Sequence, residues 1–309
     1  MKTLAIISCC EAAMIGVVSA STVSLVGDGD YTSIAEAVSF AYKGDTVLIK
    51  PGIYNETNTI SIKDSITLQG CGPQFTKIYS LSNNAISIDS NIAGVTIQGI
   101  TITGGVGINI GYNNSSSIRN CVIAGCSYGI YHTWYSGDTY RGKGSTLSLV
   151  NCTISDNLHK GLVFRMWTDY YGAYGTLNVY NTIFAFNAEG NFDVNCGSSS
   201  YYNCDSFNGS WANVSYSSGC ILGDPLFVNR NEGNYLLSVK PKSQCIDSGM
   251  VTYLDPDGSR VDMGAYGGMQ TAGYWPYPMN GPVITDFTVN PGIVSQGGKI
   301  SIRAVGIIR

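Results

Sequence analysis

The chain has 309 residues, with 17 Lys and Arg against 21 Asp and Glu, a net charge of −4 and only 12% charged residues. No basic stretch stands out, so nucleic acid is not an expected partner. With 38 Gly and 21 Tyr the composition is that of a low-charge β protein rather than a cytosolic α/β enzyme.

Residues 1–20 read as a secretory signal. Met1-Lys2 precedes an apolar run to Val18, interrupted by Glu11, and Val18-Ser19-Ala20 forms the cleavage site. No later stretch is continuously apolar over about 18 residues, so no transmembrane segment is expected in the mature chain. The expected location is extracellular or at the cell surface.

Residues 21–64 are expected to form an N-terminal cap and first coil. Tyr31 to Tyr42 carries a helical pattern, with Ser33-Ile-Ala-Glu36 as a capping box and Ile34, Ala37, Val38 and Ala41 as the apolar face. Such a helix would plug the open end of a solenoid. Thr46 to Lys50 reads as a strand, and Pro51-Gly52 turns the chain.

From 65 to 222 one alternating pattern keeps returning, with Gly or Asn at its corner. The copies are Ile66-Thr-Leu68-Gln-Gly70-Cys71, Val95-Thr-Ile97-Gln-Gly99-Ile100, Ile118-Arg-Asn120-Cys121, Leu147-Ser-Leu149-Val-Asn151-Cys152, Leu177-Asn-Val179-Tyr-Asn181-Thr182 and Tyr202-Asn203-Cys204. The column Cys71, Ile100, Cys121, Cys152, Thr182, Cys204 is spaced by 29, 21, 31, 30 and 22 residues. Strand-period repeats near 21 or 22 residues, with no helical pattern between them, predict an all-β right-handed parallel β-helix with stacked corner asparagines. A β-sandwich would need hairpin turns and no recurrent inward column.

Cys71, Cys121, Cys152 and Cys204 are expected in the core, while Cys126, Cys196, Cys220 and Cys245 are the disulfide candidates. No cysteine pair has zinc-like spacing.

Tyr31 to Val38, Gly44 to Tyr54 and Ser65 to Pro73 resemble the opening of pectin lyase-like β-helix proteins. The resemblance implies the fold over residues 28–268. The superfamily includes pectinesterases, pectate lyases and polygalacturonases, yet the catalytic signatures Gln-Asp-Thr, Asp-Phe-Ile-Phe-Gly and Arg-x-Pro-x-x-Arg are absent from this sequence. Within 223–268, Gly223 to Val228, Gly233 to Ser238, Cys245 to Gly249 and Asp255 to Tyr266 resemble the closing module of bacterial and archaeal surface β-helix proteins of the choice-of-anchor type. Residues 269–309 form a Pro-rich linker and the beginning of an immunoglobulin-like segment, so further domains or an anchor are expected beyond Arg309.

Two coils carry inserts after comparable positions, Gly129-Ile130-Tyr131 and Gly161-Leu162-Val163. Inserts at one corner of successive coils build one face. Trp134, Tyr135, Tyr140, Trp167, Tyr170 and Tyr171, with His132, supply surfaces that stack on sugar rings. Asp138 and Asp169 are candidate acid and base for a glycosidic bond, and Arg141, Lys143 or Arg165 candidate bases of a lyase. Against this, loop aromatics also pack on one another and surface Asp also makes turns. Asp255, Asp257 and Asp262 around Gly258 are candidate calcium ligands, and no other cofactor is expected. The expected function is polysaccharide or cell-wall binding; the alternatives are a polysaccharide lyase or glycoside hydrolase on a pectin-type uronate, or a structural, adhesive stalk.

Overall fold

In the computed structural model the described residues are 23–27, 29–132, 144–166, 168–169, 172–173, 175–209, 216–276, 282–290 and 301–308. Three parallel sheets, of nine, seven and six strands, form the walls of a β-helix. One full coil shows the path. Ala93–Gln98 runs in the nine-stranded sheet, Thr101–Thr103 in the seven-stranded sheet and Val106–Ile110 in the six-stranded sheet, before Ser115–Arg119 returns to the first. Parallel crossovers of this kind are right-handed.

The alternation expected from the sequence places one apolar column on each wall. Val47, Leu68, Ile97, Ile118, Leu149, Val179 and Tyr201 follow one another in register on the nine-stranded sheet. Ile78, Ile102, Ile123, Ile154 and Phe184 do so on the seven-stranded sheet, and Ile60, Ile86, Ile108, Ile130 and Leu162 on the six-stranded sheet. All are at most 1% exposed and belong to one continuous core. Each such side chain contributes about 1.5–3 kcal/mol of burial.

The corner between the nine- and seven-stranded sheets takes a left-handed residue in five successive coils. Asn120, Asn151, Asn181 and Asn203 take φ of 47°, 49°, 47° and 50°, and Gly99 takes 69°. Asparagine tolerates this region, whereas most side chains pay roughly 1–2 kcal/mol there. The expected stacking is present between Asn181 and Asn151, whose side chains are joined at 3.3 Å. Cys121, Cys152 and Cys204 are fully buried in the core column and Cys71 is half-buried. Among the eight described cysteines none is in a disulfide; Cys126 and Cys245, expected at corners or loops, are fully buried.

The helix is shorter than the pattern suggested, spanning Ile34–Ser39. Ser33 accepts from the Glu36 amide at 3.3 Å as the capping box requires. The helix start is also capped from outside: Glu56 accepts from the Ile34 amide at 2.7 Å and from the Ser33 hydroxyl at 3.1 Å. Asp45 takes the Tyr42 amide at 2.9 Å, which turns the chain away before Tyr42 can extend the helix. Ile34, Ala37 and Val38 lie in the main core, so the helix does close the first coil.

Residues 245–276 run back along the asparagine corner. Asn203 donates to Ser248 O at 3.1 Å, Asn181 accepts from the Met250 amide at 2.8 Å, and Asn151 donates to Asp262 O at 3.0 Å. Asn120 donates to Ala265 O and Gly267 O at 3.1 and 2.8 Å. Tyr274 then presses on Gly72, where an added Cβ would lie 2.6 Å from the ring. This strap, with Tyr235, Leu237, Met263 and Tyr266, covers the outer face of the C-terminal strands of the seven-stranded sheet, while Ile53 and Tyr79 on its N-terminal strands stay exposed. Val122–Ala124, Thr153–Ser155 and Ile183–Ala185 are therefore buried on both faces. Beyond it, Pro282–Asn290 pairs antiparallel with Ser301–Ile308, two strands of the segment read as immunoglobulin-like.

Candidate functional site

The six-stranded sheet is the wall from which both inserts depart. Strands Tyr128–His132 and Leu162–Arg165 are parallel neighbours, with Ile130 opposite Leu162 and Tyr131 opposite Val163. Segments 133–143 and 167–174 follow their ends. Trp134, Tyr135, Asp138, Tyr140, Arg141 and Lys143, together with Trp167, Tyr170 and Tyr171, lie outside the described residues. Within the second segment Thr168–Asp169 pairs antiparallel with Gly172–Ala173.

His132 is 2% exposed, so it is not on the aromatic surface assigned to it from sequence. It continues the inward column Ile62, Ile88, Ile110 and packs on Phe164 with ring centroids 5.0 Å apart. Its Nδ1 lies 3.1 Å from Arg165 O and its Nε2 2.8 Å from Ser145 Oγ. A carbonyl only accepts, so Nδ1 carries the proton and Nε2 accepts from Ser145. Ser145 Oγ in turn accepts from the Asn114 amide at 3.0 Å. Burial pushes the His132 pKa down to about 4, partly opposed by the Arg165 carbonyl. The neutral ring thus ties the residue before the first insert to residues flanking the second insert and the return strand.

The outer face of this sheet carries exposed aromatics that the sequence reading passed over. Tyr128 and Tyr131 meet edge to face at 5.2 Å, and Tyr128 stacks on His159 at 4.7 Å. His159 also pairs with Glu189 at 2.8 Å. In register with Tyr131, the row toward the N-terminus is Asn109, Ser87 and Ser61. Arg165 forms a two-point pair with Asp193, at 2.7 Å from Nε and 2.6 Å from a terminal nitrogen. That carboxylate raises the Arg165 pKa further, which disfavours Arg165 as a base. The face therefore offers rings, hydroxyls and amides beside balanced charge.

The acidic group around Gly258 is arranged differently. Asp255 accepts from the Asp262 amide at 2.7 Å and the Gly268 amide at 2.5 Å, Asp262 from the Asp247 amide at 2.7 Å, and Asp257 from the Ser259 amide at 2.9 Å. Burial raises Asp255 to about 6 and Asp262 to about 8, opposed by those amides. Among the described residues no three His, Cys, Asp or Glu groups gather so as to hold a metal ion. These carboxyls staple the strap, and the calcium loop read from sequence is not formed by their arrangement.

No family model matches the chain. Among curated proteins it is similar to the SHC SH2 domain-binding protein 1 of Homo sapiens, at 28% identity over 164 residues, covering 48% of this chain and 24% of that protein. The Mus musculus protein of the same name is 27% identical over 170 residues, covering 50% and 25%. The chain thus spans about a quarter of the length of these relatives. Similar solved structures include a pectin methylesterase from Aspergillus niger, with TM-score 0.41 and 12% identity over 67% of this chain and 86% of that one. Pectate lyase Pel9A gives 0.38 and 14% over 84% and 99%, and pectin methylesterase from carrot 0.36 and 16% over 68% and 90%. Among the described residues no helix is long and apolar enough to cross a membrane.

Proposed function

We propose that this β-helix is an extracellular or surface-attached protein that binds an extended polysaccharide along the outer face of its six-stranded sheet. The observation that carries the reading is the coincidence of two features on one wall. Tyr128, Tyr131 and His159 form a partly exposed aromatic cluster, and two aromatic-rich inserts begin at neighbouring positions on adjacent strands of the same sheet. A ring face with a row of Asn and Ser beside it suits a pyranose chain, which needs stacking and hydroxyl partners together. Trp134, Tyr135, Tyr140, Trp167, Tyr170 and Tyr171 would extend that face. Asp138 and Asp169 are the acid and base to test should turnover occur. The closing-module role of 223–268 and the signal at 1–20 belong to the same proposal.

The test is a panel of polygalacturonate, pectin, xylan, β-glucan and chitin oligosaccharides, scored for retention and for release of reducing or unsaturated ends. Retention without release, lost in a Trp134→Ala/Trp167→Ala variant, is the expected result. Release would make the face a catalytic site and send the next variants to Asp138 and Asp169. Neither retention nor release would leave a structural solenoid.

A further inference from the structure

Cys220 extends the inward column beyond the point where the sequence pattern stopped. It follows Ser218-Gly219 as Cys204 follows Tyr202-Asn203, and Gly219 takes φ of 66° where Asn203 takes 50°. Tyr202 pairs with Ser218 on one side and Asp205 with Ile221 on the other, which makes Cys204 and Cys220 equivalent residues of adjacent coils. Parallel neighbours lie about 4.8 Å apart, inside the roughly 4.4–6.8 Å that disulfide-bonded Cα atoms span. Both thiols face the same carbonyl rim. Cys204 Sγ lies 3.3 Å from Tyr202 O and 3.6 Å from Val179 O; Cys220 Sγ lies 3.5 Å from Tyr201 O and 3.7 Å from Ser218 O.

We propose that Cys204 and Cys220 are a modification site, an oxidisable pair that a small-molecule disulfide converts into a covalent bond between the last two coils. Cys220 is the attacking thiol because it is half-buried at the open end, whereas Cys204 is fully buried. Hydrogen bonding from Cys204 brings the Cys220 pKa down to about 7 despite burial, and the same pairing adds to the rise at Cys204. The Cys220 thiolate attacks one sulfur of the disulfide and expels one thiolate. Cys204 then loses its proton to solvent and attacks the Cys220 sulfur of the mixed disulfide, expelling the second thiolate. Two protein thiols are oxidised by two electrons, and one external disulfide is reduced to two thiols. Cys121 and Cys152 are also column neighbours, but both are fully buried and burial pushes their thiols well up, so they stay reduced.

The bond would join the last two coils of the described solenoid. The experiment treats the native full chain with oxidised glutathione, alkylates the remaining thiols, and maps chymotryptic peptides without reduction. The expected product joins Cys204 to Cys220 with loss of two hydrogens. Its unfolding midpoint lies roughly 5–10 °C above that of the reduced protein and returns on treatment with dithiothreitol. Cys196→Ser keeps the product and Cys220→Ser abolishes it. A stable glutathione adduct on Cys220, a Cys196–Cys220 bond or no reaction in the native state would each overturn the proposal. The wild-type peptide map decides this even where the Cys204→Ser variant fails to fold.

Discussion

His132 takes the place that isoleucine holds in three earlier coils and replaces apolar contact with two hydrogen bonds at the base of the inserts. Its pKa of about 4 in the folded protein, against 6.5 for the ordinary group, means that the unfolded chain binds more protons between those values. The contribution is complete above about pH 6.5 and is lost as pH falls toward 4. Relative to a His132→Phe variant, wild type should therefore lose about 2 kcal/mol between pH 7.5 and pH 5, read from urea unfolding of both proteins. Parallel pH dependence in the two would contradict the assignment. The alternation was already visible in the sequence, since Ile130 points in, Tyr131 out and His132 in. Counting His132 as the first insert residue hid it. Tyr128 and His159 carry no such signal in the sequence, because their stacking depends on two coils lying side by side.

The corner asparagines act as an element, because their left-handed backbone turns the chain while their amides hold the strap. Asn151→Ala removes the amide that donates to Asp262 and Gly264 and leaves alanine at φ 49°. The expected cost is about 2–3 kcal/mol in equilibrium unfolding, against less than about 0.5 kcal/mol for Asn178→Ala on the outer surface of a strand. The strap also carries Asp255 and Asp262, and packs Cys245 against Asp205, with sulfur and carboxyl 3.6 Å apart. Burial raises Asp205 to about 7, Asp255 to about 6 and Asp262 to about 8. Here the folded state binds the extra protons, so this stability is full below about pH 4 and falls as pH rises through 6 to 8. Hydrogen exchange of the 245–268 amides should accordingly be faster at pH 8 than at pH 5 after correction for intrinsic rate. Equal protection would show these carboxyls to be indifferent to strap docking. The asparagine corners were legible from their period; the strap was not, because its hydrogen-bond partners lie up to 200 residues away and follow no repeat.

At the scale of the whole molecule, the strap decides which walls remain open. The C-terminal strands of the seven-stranded sheet are buried under 223–276, while the nine- and six-stranded sheets present outer faces. Each open face carries tyrosines: Tyr180 and Tyr202 stack at 5.3 Å on the nine-stranded sheet, Tyr128 and Tyr131 meet at 5.2 Å on the six-stranded sheet. The first insert follows the strand that carries the second pair. The solenoid and its core columns could be read from alternation and spacing alone, whereas the choice between faces depends on how the coils are covered. The most direct measurement is the affinity of the full chain for the polysaccharide that the panel selects, compared with Tyr131→Ala and Tyr180→Ala. A loss of roughly tenfold for Tyr131→Ala with Tyr180→Ala unchanged is the result expected of a binding face on the six-stranded sheet. A loss confined to Tyr180→Ala, or unchanged affinity in both variants, would contradict it.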